Sequence, residues 1–266
     1  MQKNIYLAPH EQAVVNAARS TGRSTIKVEQ LYELCPELSR HAVNRACSSL
    51  SRKGYLHRLR RGLYLFQVRP SMTPELSDPY RIALELFPGY LAFSSALKLY
   101  GLLEYEPTTV FVATSRTSRE LKIGQFMFKA VAIGERATGE VLFERLWISS
   151  RAKTFFDCFY RPNYAGGYST LTKALFAAEL DWHEFLSYFE RFASDSLCQR
   201  TAYVFDLLRE VGKEVPKFVL DYFSRRVRTR TRLVPTAKGA GKWVARWQVM
   251  DNLGKEVILE WYYGGR

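Results

Sequence analysis

Hydrophobic residues recur at helical spacing in three short stretches of the first seventy residues. The clearest apolar stripe follows the spacing i, i+3, i+4, i+7 and consists of Val43, Ala46, Cys47 and Leu50. This stripe predicts a helix over 40–53, which Ser39 is suited to cap and Gly54 to end. Weaker patterns predict two earlier helices over 10–18 and 28–34.

The next residues change from helical spacing to two short extended runs. Residues 55–59 and 63–66 are typical of strands, and they flank a tight basic turn at 60–62. Helix, helix, short turn, basic helix and basic hairpin is the order of elements in a winged helix-turn-helix. We therefore predict that fold for residues 1–69.

The remainder of the chain mixes helical and extended patterns. The stretch from Arg69 to Pro79 contains three prolines and no periodicity, so we predict a linker at 70–77 and a second domain at 78–266. In that domain we predict strands at 90–93, 109–114, 124–133 and 141–148. Helices should follow at 150–159, 169–179, 181–193, 197–211 and 215–224, and a β-hairpin at 243–249 and 256–263. The predicted fold class is α+β, an N-terminal winged helix-turn-helix followed by a mixed α/β C-terminal domain.

Basic side chains are concentrated near both ends of the chain. The 39 Lys and Arg outnumber the 26 Asp and Glu, which gives a net charge of +13. Residues 1–70 hold twelve basic and four acidic side chains, so a quarter of the chain carries more than half of the excess. This charge favours a polyanionic partner, most simply nucleic acid. A possible second basic surface, with no acid among its members, comprises Arg225, Arg226, Arg228, Arg230, Arg232, Lys238, Lys242 and Arg246.

The predicted helix at 40–53 carries its polar residues opposite the apolar stripe. An α-helix fits the major groove of DNA, where Asn can pair with adenine and Arg with guanine. The arginines of the hairpin are placed for phosphates or the minor groove. We therefore predict that double-stranded DNA is bound by Ser39, Arg40, His41, Asn44, Arg45, Ser48, Arg52, Lys53, Arg58, Arg60 and Arg61. A protein-binding winged helix is the alternative. For His41 alone, a plain surface position and a contact with a base or phosphate are equally open.

Enzyme motifs are missing from the sequence. It contains no G-x-S-x-G, P-loop, G-x-G-x-x-G or H-E-x-x-H pattern, and its four histidines are dispersed. Asp157 has no acid/base partner at a useful spacing, so we interpret it as a structural hydrogen-bonding residue. We expect no enzymatic activity, no catalytic residue and no cofactor.

Metal, membrane and secretion signals are also missing. The four cysteines have no metal spacing, which predicts buried free thiols and no metal site. No apolar run approaches the ~18 residues of a membrane helix, and the first residues lack the apolar segment of a secretion signal. We expect a cytoplasmic protein without a membrane partner.

Several segments of the second domain resemble one family, the AbiEi-type antitoxins, which are also described as regulators of viral defence systems. Residues 90–102, YLAFSSALKLYGL, resemble its Ala-Leu…Gly-Leu helix, and residues 110–128 resemble the strands that follow. The block at 148–167, ISSRAKTFFDCFYRPNYAGG, resembles the family most closely, and 233–249 is similar to its ending. The resemblance covers most of the chain in the family's order, behind a winged helix where the family has one.

The resemblance implies a transcriptional autorepressor that is also an antitoxin of a type IV toxin–antitoxin system, acting in abortive infection. Its winged helix would bind inverted repeats in the operon's own promoter. Its C-terminal domain would counteract a co-encoded nucleotidyltransferase-like toxin, for which a stable complex is not required.

Several alternatives remain open at the level of sequence. The protein is a module that neutralises a toxin by direct complex formation, a plain winged-helix transcription regulator, or a nuclease or nucleotidyl-transferring enzyme that uses Asp157. The second basic surface either extends the DNA track, contacts an RNA-like polyanion, or is a solvated flexible loop.

Overall fold

A computed structural model describes residues 6–264 and has a mixed α+β fold. Its α-helices are α1 (Pro9–Ser20), α2 (Val28–Leu34), α3 (Arg40–Arg52), α4 (Pro79–Leu86), α5 (Ser94–Leu99), α6 (Arg151–Tyr160), α7 (Gly167–Ala177), α8 (Trp182–Phe192), α9 (Asp195–Glu210), α10 (Lys217–Ser224), α11 (Lys255–Ile258) and α12 (Glu260–Tyr263). Its strands are β1 (Thr25–Lys27), β2 (Leu56–Arg60), β3 (Leu63–Phe66), β4 (Tyr90–Leu91), β5 (Thr109–Thr114), β6 (Arg119–Ile123), β7 (Phe126–Ala132), β8 (Glu140–Phe143), β9 (Leu146–Ser149), β10 (Thr231–Arg232), β11 (Lys242–Val244) and β12 (Val249–Asp251).

The strands of the described residues form three sheets. The N-terminal sheet has the order β1-β3-β2, with antiparallel neighbours. The largest sheet has the order β6-β7-β5-β4-β9-β8, in which β4 and β9 run parallel. The C-terminal sheet has the order β10-β12-β11, in which β10 and β12 run parallel and β11 and β12 antiparallel.

The first helices form where the apolar stripes predict them. The predicted helices at 10–18, 28–34 and 40–53 correspond to α1, α2 and α3, and their inward residues form one buried core with β2 and β3. Ser39 caps α3, since its hydroxyl accepts a hydrogen bond from the amide of Ala42 (3.2 Å). Gly54 ends the helix region with φ +78°, and a Cβ there would lie 2.6 Å from the carbonyl oxygen of Ser71. Only glycine fits that close approach.

The chain divides into two compact units, but not at the predicted linker. The first unit comprises the residues up to Pro88 together with 120–129, and the second comprises 89–119 and the residues from 130 onward. Residues 70–77 contain no helix or strand, yet they are fastened to the preceding hairpin. The amide of Ser71 donates to the carbonyl of Gly54 (3.0 Å), and its own carbonyl lies 3.0 Å from Nε2 of His57.

Helix α4 belongs to the first unit as well, whereas 78–266 was predicted as a separate domain. The hydroxyl of Thr25 on β1 donates to the carboxylate of Glu85 on α4. The backbone carbonyl of Glu85 also accepts a 3.4 Å hydrogen bond from Arg60. Side chains remote in sequence make these contacts, so proline content alone does not locate the end of the unit.

The second unit is built around an aromatic core. The phenylalanines of α6, α8, α9 and α10 meet edge to face, as in the pairs Phe156–Phe189 and Phe159–Phe205 with ring centroids 5.1 and 5.6 Å apart. Phe223 of α10 completes the cluster against Phe189. These contacts place much of the 14% aromatic content in the protein interior.

The single strand predicted at 141–148 is wrong, because the structure has the hairpin β8–β9 there. Glu144 and Arg145 form its two-residue turn, and both have positive φ, 47° and 67°. Asn and Gly are the usual residues at such positions. Neither occurs here, so the sequence carries no turn signal.

The strand predicted at 256–263 is also wrong, because this segment forms α11 and α12. Asp251 accepts hydrogen bonds from the amides of Leu253 (3.1 Å) and Gly254 (2.8 Å), which turns the chain out of β12. The consecutive residues Ile258 and Leu259 are then both fully buried. Two successive buried residues fit a helix end and not an alternating strand. The actual hairpin of this region is β11–β12.

Candidate nucleic-acid interface

Helix α3 presents one polar face to solvent. Its apolar stripe is fully buried, with Val43, Ala46, Cys47 and Leu50 at 0% exposure. Because successive residues are ~100° apart around a helix, the opposite side chains fall within an arc of about 140°. All of them are exposed, and they are Arg40, His41, Asn44, Arg45, Ser48 and Arg52. We call this group the α3 face.

Tyr32 of α2 supports the N-terminal half of the α3 face. Its hydroxyl donates to Oδ1 of Asn44 (3.0 Å), and the guanidinium of Arg40 lies 5.3 Å from its ring centroid. Asn44 therefore keeps both amide protons free to donate outward while its oxygen is held. Tyr32 was not among the predicted residues, although its place next to the buried Leu31 puts it on the outer side of α2.

The β2–β3 hairpin carries three exposed arginines, Arg58, Arg60 and Arg61. The register between β2 and β3 shifts at Leu59, which is buried and leaves Arg58 and Arg60 in solvent. The tip of the hairpin is fixed, because the amide of Val28 at the start of α2 donates to the carbonyl of Gly62 (2.9 Å). Hairpin and α3 face thus project from one rigidly connected unit.

Lys53 is turned away from the α3 face, although the sequence placed it there. Its ammonium bonds Oε2 of Glu11 (2.6 Å) and the carbonyl of Tyr6 (3.0 Å), so it ties α3 to the start of α1. Ser39 uses its hydroxyl to cap α3, and the hydroxyl of Ser48 donates to the carbonyl of Asn44 (3.0 Å). The other eight predicted residues keep their side chains exposed.

The Glu11–Lys53 pair is part of the framework that holds α3. Burial of Glu11 acts to raise its pKa, but hydrogen bonds from Lys53, Ser49 and the amide of Ala8 outweigh it and lower the pKa to about 2. Glu11 is therefore ionised over the physiological pH range and binds Lys53 as a charged pair.

The second basic surface is partly neutralised by α9. Asp195 lies 3.6 Å from Arg226 and 3.8 Å from Arg228, and Asp206 lies 2.9 Å from Arg246. The guanidinium of Arg232 donates hydrogen bonds to the carbonyls of Ala237 and Gly239. Arg225, Arg230, Lys238 and Lys242 are exposed and have no carboxylate within 4 Å among residues 6–264. The sequence did not reveal this pairing, because Asp195 and Asp206 lie outside the basic run.

Asp157 binds a buried lysine. Lys153 and Asp157 form an ion pair one turn apart on α6, and both side chains are fully buried. Burial raises the pKa of Asp157 to about 6 against the opposing effect of Lys153, and burial lowers the pKa of Lys153. The pair lies beside the rings of Tyr90, Phe156 and Tyr188. This arrangement agrees with a structural role for Asp157.

The cysteines are free and buried, and burial raises the pKa of Cys47 to about 11. Across the described residues, no three His, Cys, Asp or Glu side chains come together as metal ligands would. None of the helices within 6–264 has the length and apolar character needed to cross a membrane.

Comparison with known proteins gives a structural relationship. The chain is similar in fold to the RV2827C protein from Mycobacterium tuberculosis, with a TM-score of 0.70 and 18% sequence identity. The similarity covers 98% of this chain and 96% of the other, so it extends over both units. No protein-family model and no curated protein sequence matches the chain.

Proposed function

We propose that the protein is a DNA-binding transcriptional autorepressor and antitoxin. The observation that carries this proposal is the α3 face beside the basic β2–β3 hairpin within one unit. The order α1-β1-α2-α3-β2-β3 with the sheet order β1-β3-β2 fits a winged helix-turn-helix. In that assignment α3 is the recognition helix and the hairpin is the wing.

The side chains of the two elements suit different parts of DNA. On α3, Asn44 and Arg45 have the hydrogen-bonding groups that read adenine and guanine in the major groove. On the hairpin, Arg58, Arg60 and Arg61 supply positive charge for phosphates or the minor groove. Together they bind inverted repeats in the promoter of the protein's own operon.

The antitoxin half of the proposal rests on the sequence resemblance to AbiEi-type antitoxins. The second unit, which holds the closely similar block at 148–167, counteracts a nucleotidyltransferase-like toxin encoded in the same operon. The protein acts in the cytoplasm and needs no cofactor. A stable complex with the toxin is not required.

Promoter binding is tested with a variant of the recognition helix. Substituting Arg40, Arg45 and Arg52 with Ala removes three charges from the α3 face, and a matched control substitutes the exposed Arg161, Arg191 and Arg209 of the second unit. Fluorescence anisotropy with the operon's promoter fragment is expected to show weaker binding for the α3 variant alone. Equal promoter affinity of the two variants would show that α3 does not contact the promoter.

Antitoxin activity is tested with the same α3 variant in cells that express the toxin. A truncation at the predicted linker is unsuitable, because the first unit includes α4 and residues 120–129. We expect the α3 variant to derepress the promoter and still restore growth. Loss of both activities would show that they are not separate.

One observation favours neutralisation by direct complex formation. Leu142 of β8 and Trp147 of β9 form a cross-strand pair with 63% and 51% exposure at the edge of the largest sheet. A contiguous exposed apolar patch marks a protein-binding surface, and in this second function the pair belongs to such a patch. Co-purification with the toxin that is lost in Leu142→Ser/Trp147→Ser would support this second function.

A further inference from the structure

The C-terminal sheet presents an aromatic and basic row on one face. Arg232 of β10 is in register with Met250 of β12, and Met250 is in register with Trp243 of β11. Residues in register across neighbouring strands point to the same face of a sheet. The three side chains therefore lie side by side.

Trp243 is available to a ligand. It is 39% exposed, in contrast to Trp247 of the same segment, which is 1% exposed and belongs to the core. The guanidinium of Arg230 lies 5.6 Å from the indole centroid, and both side chains are exposed at the surface. An arginine next to an exposed indole supplies a stacking surface and a positive charge at one place.

These residues line a surface cleft of about 470 Å³. Its lining consists of Arg230, Thr231, Arg232, Trp243 and Met250, which offers two cations, a hydroxyl and apolar surface without a carboxylate among these residues. A neighbouring hollow shares Trp243 but also contains Glu210 and Glu256. An anionic ligand is therefore favoured in the first cleft over the second, whose lining mixes these acids with Lys242 and Lys255.

The loop beside the cleft is held in place before any ligand binds. Arg232 donates to the carbonyls of Ala237 (2.7 Å) and Gly239 (3.0 Å), and Asn252 donates to Val234 (2.9 Å) and Ala237 (3.1 Å). The exposed Lys238 lies on this ordered loop. A preorganised site loses less conformational entropy on binding.

We propose that this cleft binds single-stranded nucleic acid. One unpaired base stacks on Trp243, and the adjoining phosphates pair with Arg230 and Lys238. A paired base in a duplex does not expose its face for such stacking, so this site differs in ligand from the α3 face. It gives the second basic surface a role independent of promoter recognition.

The test uses the full-length chain with Arg40, Arg45 and Arg52 changed to Ala, so that duplex binding by the α3 face is suppressed. Labelled single strands of RNA and of DNA, each ten nucleotides long, and a labelled DNA duplex of equal length are titrated with protein, and binding is followed by fluorescence anisotropy. Each protein carries one further change at Trp243, Arg230 or Trp147. Thermal melting checks that each variant is folded.

Trp243→Ala is expected to weaken single-strand binding by about tenfold or more, because stacking contributes substantially for each base. Trp243→Phe should retain most of the affinity for single strands, since it keeps an aromatic face. Arg230→Ala should lower the affinity for single strands and make it less dependent on salt concentration, because a phosphate contact is lost. Trp147→Ala, which removes another exposed tryptophan, should have no effect. Equal binding of RNA and DNA would indicate stacking and phosphate contacts alone, and tighter RNA binding would add a ribose contact.

The proposal is overturned if Trp243→Ala binds single strands as tightly as its parent, or if the duplex competes equally well. It is also overturned if Trp243→Phe loses as much affinity as Trp243→Ala while remaining folded. Promoter binding is measured separately in the chain with an intact α3 face. In that chain Trp243→Ala should leave promoter affinity unchanged. Failure of the single-strand proposal is therefore distinguishable from failure of the proposed repressor function.

Discussion

Asn44 is a proposed recognition residue whose side chain is held by a residue of another helix. Sequence spacing does not indicate this contact. Its Oδ1 accepts from Tyr32, so the orientation of its amide group is fixed before DNA binds. Asn44→Ala is expected to relax specificity at one base position by about 1–3 kcal/mol. Tyr32→Phe should give a smaller loss of specificity at the same base position. The Asn44 amide is still present in this variant, but the hydrogen bond that fixes its orientation is lost.

Competition binding against promoter fragments with single base substitutions measures both effects. Arg161→Ala, a change at an exposed position of the second unit, serves as the control. A uniform loss of affinity across all fragments for Asn44→Ala would show that Asn44 does not read a base.

Glu11 makes the stability of the first unit depend on pH. Its pKa is lowered to about 2 in the folded chain from an ordinary value of 4.5. A carboxyl with a lowered pKa stabilises the fold above its ordinary pKa and loses that contribution as the pH falls toward the folded value. The loss therefore falls between pH 4.5 and 2 and amounts to about 3 kcal/mol.

Hydrogen exchange of the α1 and α3 amides at pH 6 and pH 2.5 measures this contribution. Glu11→Gln should remove most of the pH dependence, and Glu33→Gln, at an exposed position of α2, should not. The same acid sensitivity in wild type and Glu11→Gln would contradict the assignment.

The buried pair on α6 is expected to respond asymmetrically to substitution. Lys153→Met alone leaves the carboxyl of Asp157 buried without its partner and should destabilise the second unit by about 3–5 kcal/mol. The double change Lys153→Met/Asp157→Leu removes both charges and should cost much less. Denaturant unfolding compares the variants, and equal losses would show that the ion pair is not the cause.

At the scale of elements, the β8–β9 turn is a strained connection. Glu144 and Arg145 both occupy positive φ, which side chains with a Cβ adopt at a cost. Glu144→Asn/Arg145→Gly is expected to raise the free energy of unfolding by about 1 kcal/mol. Thermal unfolding measures the gain, and a lower melting temperature would show that the original side chains make compensating contacts.

Elements with local chemical signals were predictable from the sequence. Ser39, Asp78, Ser150 and Asp181 each cap the helix that follows, and α1–α3 and α6–α10 begin and end within a few residues of the predicted positions. The hairpin at 140–149 was missed because its turn has neither Asn nor Gly. The helical tail was missed because consecutive aromatic and aliphatic residues are compatible with a strand.

At the scale of the whole molecule, net charge is a poor guide until pairing is known. Asp195 and Asp206 of α9 neutralise part of the C-terminal basic run, and Glu11 removes Lys53 from the α3 face. These pairings join residues at least thirty positions apart, so no sequence window reveals them. What the sequence did predict is the exposed polar set on one side of α3, because helical periodicity alone determines it.

The two exposed basic surfaces that remain lie in different units. The α3 face and hairpin belong to the first unit, and the Trp243 cleft belongs to the second. Their proposed ligands differ accordingly, in duplex and single-stranded nucleic acid. Substitutions in one surface should therefore leave binding at the other unchanged.

The salt dependence of promoter binding tests the central claim most directly. Each neutralised phosphate contributes about 0.9 to the slope of log affinity against log salt concentration. Arg60→Ala/Arg61→Ala should lower affinity for every sequence and reduce the slope by about 2. Arg191→Ala/Arg209→Ala, which removes the same charge from the second unit, should change neither. A wild-type slope and affinity in Arg60→Ala/Arg61→Ala would contradict the account of the hairpin as a DNA-binding wing.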